Sequence, residues 1–225
     1  MVHSSAPTNP QRRERRFRAR RGPSRPRNLG SPVRSPDNPR SPFVFAQILA
    51  QTPNYTSVDT ALLIVRVVFG LTLAMHGWQK FFTGGRMPGT AGWFDGMGMK
   101  PGKVMAPLAA STEIGAGLGF AIGLLTPLMS AGCVGIMLVA AWTVHREEFF
   151  IVKGGWEYNM VLATGTVGVA MIGPGRFSLD RTFGFDGTLS GWLGLALSAG
   201  LGIVGGVSLL AVFYRPPAPE SDTAP

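Results

Sequence analysis

Five long apolar stretches dominate the chain, at residues 58–82, 104–125, 127–145, 157–173 and 190–214. Each has about the 17–25 residues that a helix needs to cross a bilayer. Polar or Gly/Pro-containing segments separate them. The Thr126-Pro127 junction reads as a turn between the second and third helices, and the fourth stretch runs into GPGRFSLDR. The segment 83–103 (TGGRMPGTAGWFDGMGMKPGK) is rich in glycine and is expected to be an irregular loop. The pattern predicts an all-α membrane protein: a four-helix transmembrane bundle over 58–181, a fifth C-terminal transmembrane helix over 190–214, and a disordered C-terminal tail over 215–225.

Residues 1–57 break this pattern. They hold eleven arginines against Glu14 and Asp37, a net of +9 that equals the charge of the whole chain. The other ten Lys or Arg are balanced by ten acids. A segment dominated by Arg, Pro and Ser buries too little apolar surface to fold, so a disordered basic tail is expected. Its double arginines do not make an export signal, because Pro-rich sequence rather than an apolar stretch follows them. Positive charge beside the first helix places the N-terminus in the cytoplasm. The same arginines suit anionic lipid headgroups, and nucleic acid is not expected as a partner. Residues 42–50 (PFVFAQILA) are too short to span and suit the interface.

Small residues are expected where helices touch, since packing drives association in lipid. Gly115, Gly119 and Gly123 recur every four positions in the second helix, and Gly202 and Gly206 do so in the fifth. The lone Cys133 cannot form an intramolecular disulfide and is expected as apolar filling. Three histidines without a Cys/His cluster argue against a zinc centre. GxSxG, HExxH and a phosphate-binding glycine loop are all missing from the sequence.

Ionisable residues inside membrane helices are costly and usually have a partner or a task. Arg66 and Glu113 are such residues. Counting about 1.5 Å per residue from the ends of their apolar stretches puts them at depths about 4 Å apart, so they are expected to pair. Glu113 would exchange protons with a bound ligand while Arg66 tunes it, or the two would form a structural ion pair. A second cluster gathers at the outer ends of the helices: His76, Trp78, Gln79 and Lys80, then Trp142 and His145, then Trp156, Glu157 and Tyr158. Aromatics alone make an interfacial belt. Imidazoles, a carboxylate and an ammonium at the same level suit proton transfer to a quinone headgroup. Two histidines without a supporting motif are weak ground for haem b.

The runs LIVRVVFGLTLAMHGWQKFF, STEIGAGLGFAIGLLTPLMSAG, KGGWEYNM and GPGRFSLD, in that order across residues 60–181, resemble the DoxX family of bacterial inner-membrane proteins. The positions that match are Arg66, Gly70, His76, Gly77, Lys80, Glu113, Gly123, Glu157 and Asp180. The resemblance implies a four-helix membrane core and a link to sulfur and oxidative metabolism, through relatives that serve as a membrane subunit of thiosulfate:quinone oxidoreductase. The fifth helix and the long tail depart from the family's short form.

These observations give the expected function. The chain would be an integral component of a redox or oxidative-stress system in the bacterial plasma membrane. It would bind quinone and work with a soluble protein partner. Glu113 and His76 would exchange protons with Arg66 as electrostatic partner, and Lys80, His145, Glu157, Trp78 and Trp156 would line the quinone site. No metal is expected. The alternative is a non-enzymatic membrane scaffold or assembly factor that docks other proteins.

Overall fold

A computed structural model describes residues 55–216. The basic tail up to residue 54, its apolar segment 42–50 and the residues from 217 onward lie outside the described residues. The described chain is helical, and its one extended pairing is an isolated bridge between Met99 and Tyr214. The helices are α1 (Tyr55–Phe82), α2 (Arg86–Gly96), α3 (Gly102–Ile122), α4 (Thr126–Thr143), α5 (Glu157–Ile172) and the short α6 (Leu179–Phe183). The C-terminal helix begins as α7 (Gly191–Leu195), loosens into a π turn over Ala196–Leu201, and ends as α8 (Gly202–Phe213).

Among the described residues, four helical stretches are long and apolar enough to cross a membrane: α1, α3, α4 and the continuous segment Gly191–Phe213. The expected fourth span, α5, has 16 residues. At ~1.5 Å per residue it is about 24 Å long, short of a ~30 Å hydrocarbon core. The loop expected at 83–103 is also corrected, since half of it forms α2. Met87, Ala91 and Phe94 recur at i, i+4 and i+7, and Ala91 and Phe94 are buried in a cluster with Met99, Met105 and Ala106 that Leu209, Leu210 and Phe213 cover. Helical periodicity outweighs the glycines there.

The bundle is built on the antiparallel pair α1 and α3. Their backbones meet at Gly70 and Gly117: a Cβ on Gly70 would strike the Gly117 carbonyl and Ala121, and one on Gly117 would strike the Gly70 carbonyl and Ala74. About two turns on, Gly77 lies against Ala110 and Glu113. Of the expected stripe at Gly115, Gly119 and Gly123, only Gly119 packs against another long helix, where a Cβ would strike the Met129 side chain of α4. Gly115 has open space beside it, and Gly123 ends α3 in a left-handed conformation (φ +67°). There the Gly123 amide donates to the Phe120 carbonyl at 3.1 Å and the Leu124 amide to the Gly119 carbonyl at 2.9 Å, the double bond of a Schellman turn. Gly202 and Gly206 do form the expected close approach, against Val134 and Gly135 of α4.

This register leaves the first turns of α1 extending past the end of α3. Residue 70 faces 117 and residue 77 faces 110, so residue 66 lies level with the C-terminal end of α3. The depth count that paired Arg66 with Glu113 assumed aligned helix ends, and the offset of the two helices removes that pairing. Cys133 is buried among Leu73, Ala116, Met137 and Leu162, as expected of apolar filling.

Candidate polar cavity

The two ends of the bundle carry different polar clusters. At the end where α1 begins, Arg66 is fully buried. Its guanidinium donates from Nη2 to the Phe177 carbonyl and from Nη1 to the Ala121 carbonyl at 3.4 Å. Asp180, 1% exposed, closes the same junction. Its carboxylate accepts from the Leu125 amide at 2.6 Å, the Thr126 amide at 2.9 Å and the Thr126 hydroxyl at 2.6 Å. It therefore satisfies the open amides that begin α4, where negative charge also suits the helix dipole. The Asp180 amide returns a bond to the Gly123 carbonyl at 2.8 Å. Asp59 holds the same connection further out, accepting from the Arg176 amide at 2.9 Å.

At the other end, the sequence-predicted residues divide. His76, Gln79 and Lys80 lie three and four positions apart on α1 and so share one face. Together with Glu113 of α3, they line an open cavity of about 480 Å³. Met137 from α4, Tyr158 and Asn159 from α5, Trp93 from α2 and His145 from the following loop complete it. Lys80 Nζ donates to Glu113 Oε2 at 2.5 Å and to the His76 carbonyl at 3.3 Å. The side chains of this pair are only 15% and 6% exposed. The His76 ring packs 5.6 Å from that of Tyr158.

The other expected site residues do not join the cavity lining. Arg66, fourteen residues before Lys80 on the same helix, is about 21 Å away along the axis. Trp78 is half exposed and stacks on Phe82 with ring centroids 4.0 Å apart. Trp156 packs edge-on to Phe149 at 4.9 Å, and the Glu157 carboxylate accepts from the Ile151 amide at 3.1 Å. Both organise the loop between α4 and α5. His145 lines the cavity while its Nδ1 is bound to the Gly154 carbonyl in that same loop.

Asn159 was missed. It is 4% exposed, its Nδ2 donates to the Met137 sulfur at 3.6 Å, and its Oδ1 has no hydrogen-bond partner. The Tyr158 hydroxyl is likewise buried without a partner. Unpaired buried polar atoms are uncommon and costly, and here they border open space. The signal lay in α5: Asn159 heads a buried stripe with Leu162, Thr166, Val169 and Ala170 at helical spacing, so its amide had to face the bundle.

The family model for DoxX matches residues 61–146, from α1 through α4. Inner membrane protein YqjF of Escherichia coli strain K12 is 31% identical over 124 residues, which cover 55% of this chain and 92% of that relative. The chain belongs to the DoxX family. The DoxX-matched segment supplies His76, Lys80, Glu113, Met137 and His145 of the cavity. Tyr158, Asn159 and the C-terminal helix lie beyond it. No solved structure gives a significant match to this DoxX chain.

Proposed function

We propose that this DoxX-family membrane protein is the quinone-binding component of a redox or oxidative-stress system in a bacterial inner membrane, with a soluble partner supplying electrons. One observation carries the reading. The buried Lys80–Glu113 ion pair borders an open cavity that also holds two buried polar atoms without partners, Tyr158 Oη and Asn159 Oδ1. A quinone headgroup offers two carbonyl oxygens and, once reduced, two hydroxyls. Tyr158 can donate to a carbonyl and Asn159 Oδ1 can accept from a hydroxyl. Glu113 and His76 are then the proton-exchanging groups, and Lys80 orients the carboxylate and offers positive charge to the reduced headgroup. With one buried cysteine, the chain supplies binding and proton exchange rather than the electron carrier. The topology that fits this role keeps the N-terminus in the cytoplasm, where the basic tail meets anionic lipid.

The test is quinone analysis of the protein purified in mild detergent. Wild-type protein should retain quinone, and Glu113→Gln should release it while the helical content is unchanged. Wild-type protein that neither retains nor binds added quinone would sink the reading and leave the scaffold alternative.

A further inference from the structure

The polar cavity is not a closed pocket. Lys80, Glu113 and Trp93 also line a smaller neighbouring space of about 80 Å³ between α2, α3 and α4. That space in turn shares Ala109, Ile136 and Val139 with a groove of about 280 Å³ between α3, α4 and the C-terminal helix. The chemistry changes along the way. The first space is bordered by an ammonium, a carboxylate, two imidazoles, two amides and a phenol; the groove is bordered by Gly, Ala and large apolar side chains, with Thr112 its one hydroxyl.

We infer that this groove holds the hydrocarbon tail of the ligand whose headgroup occupies the polar cavity, so that the ligand is a quinone with a long polyprenyl tail. The inference rests on the quinone reading above and assigns the tail to α3, α4 and the C-terminal helix. Three further observations support it. The groove lies along three segments that are apolar and long enough to cross a membrane, so hydrocarbon rather than water fills it. Leu108 and Leu201 at its border are 45% and 49% exposed, which opens it sideways to lipid. A Cβ on Gly205 would meet nothing within 4 Å, whereas those on Gly202 and Gly206 would press into α4. The C-terminal helix is therefore seated against α4 on one face and stands clear beside it at Gly205. The π turn just before the groove is the kind of irregularity often found where a helix borders a ligand.

The experiment uses the full chain in quinone-free phospholipid nanodiscs, with Trp93 among the tryptophans that a bound quinone quenches. Two quinones with the same headgroup are compared, one with a tail of several isoprene units and one with none. Gly205→Phe fills the groove without touching the cavity. It should weaken the tailed quinone by roughly ten-fold or more, as expected from losing a few buried methylenes, and leave the tailless one unchanged. Glu113→Gln should weaken both. Equal binding of the tailed quinone to wild type and Gly205→Phe overturns the tail site while the headgroup reading stands. Failure of both quinones to bind wild type overturns the headgroup reading as well. If Gly205→Phe also loses the tailless quinone, the variant has not folded, and photo-crosslinking of wild type decides. A reactive group at the end of the tail should label residues 105–112, 131–139 or 201–209, and label confined to other segments overturns the inference.

Discussion

The two ends of this bundle bury the same kinds of charged groups and use them differently. Around Arg66 and Asp180, the charged atoms face the backbone of connecting segments: the Ala121 and Phe177 carbonyls, and the amides of Leu125 and Thr126. The side chains replace hydrogen bonds that helix ends and loops would otherwise lack. Buried side-chain atoms without hydrogen-bond partners occur at both ends, Arg66 Nε and Asp59 Oδ2 at the first and Tyr158 Oη and Asn159 Oδ1 at the second, but around Lys80 and Glu113 the charges face each other across α1 and α3 and line an open cavity with the latter two. The contrast separates a cluster that fixes the chain from one that leaves hydrogen-bonding capacity for a ligand. Burial and charge do not distinguish them; the identity of the partner does.

The contrast is broken most directly at Asp180. Asp180→Ala strands the Leu125 and Thr126 amides and the Thr126 hydroxyl at the start of α4. It should cost about 3–5 kcal/mol, measured as a large drop in thermal unfolding temperature in mild detergent. Glu113→Gln keeps a hydrogen-bond acceptor beside Lys80, and the cavity admits water to the ammonium. A cost of about 1 kcal/mol is expected by the same measurement, despite the loss of quinone. If Glu113→Gln unfolds the protein as thoroughly as Asp180→Ala does, the two ends are both structural and the functional reading of the cavity fails.

The smallest effect is expected on the surface. Arg181 donates to Asp186 at 2.8 Å in an exposed pair, and this hydrogen bond holds the Asp186 carboxyl below its usual range. A carboxyl depressed in the folded state stabilises above its unfolded value, near pH ~3.9, and loses that contribution as pH falls through the folded one. Arg181→Ala should therefore leave thermal stability unchanged within error at pH 7. Any small difference from wild type should lie at neutral pH and vanish in acid, once Asp186 is protonated in both the folded and the unfolded state. A marked loss at neutral pH would show that the Asp180 junction extends further than its buried bonds.

Much of this was legible in the sequence. The spans of α1, α3, α4 and the C-terminal helix follow from runs of apolar residues, which lipid makes nearly unambiguous. His76, Lys80 and His145 were grouped at the helix ends and Glu113 was singled out by cost, and all four line one cavity. Partner choice was not legible. Depth counted along each helix cannot reveal how far one helix slides past another, and the Gly70–Gly117 contact sets that slide. Hence Lys80, not Arg66, meets Glu113. The role of Asp180 was hidden for a related reason: it caps a helix 54 residues earlier in the chain, and no local spacing announces such a bond. Trp78, Trp156 and Glu157 misled because residues at a helix end may all sit at one level and still face different ways.

The Lys80–Glu113 pair has an electrical consequence. Its charges cancel, so the pair gives the cavity no net charge. A charge moved through the membrane field does work of about 2.3 kcal/mol per 100 mV, but a neutral ligand arriving beside a neutral pair does none. Occupancy of the cavity should then be indifferent to membrane voltage. Only the step that carries a proton to or from Glu113 would feel it, so voltage could bias the direction of proton transfer without altering how often the cavity is filled.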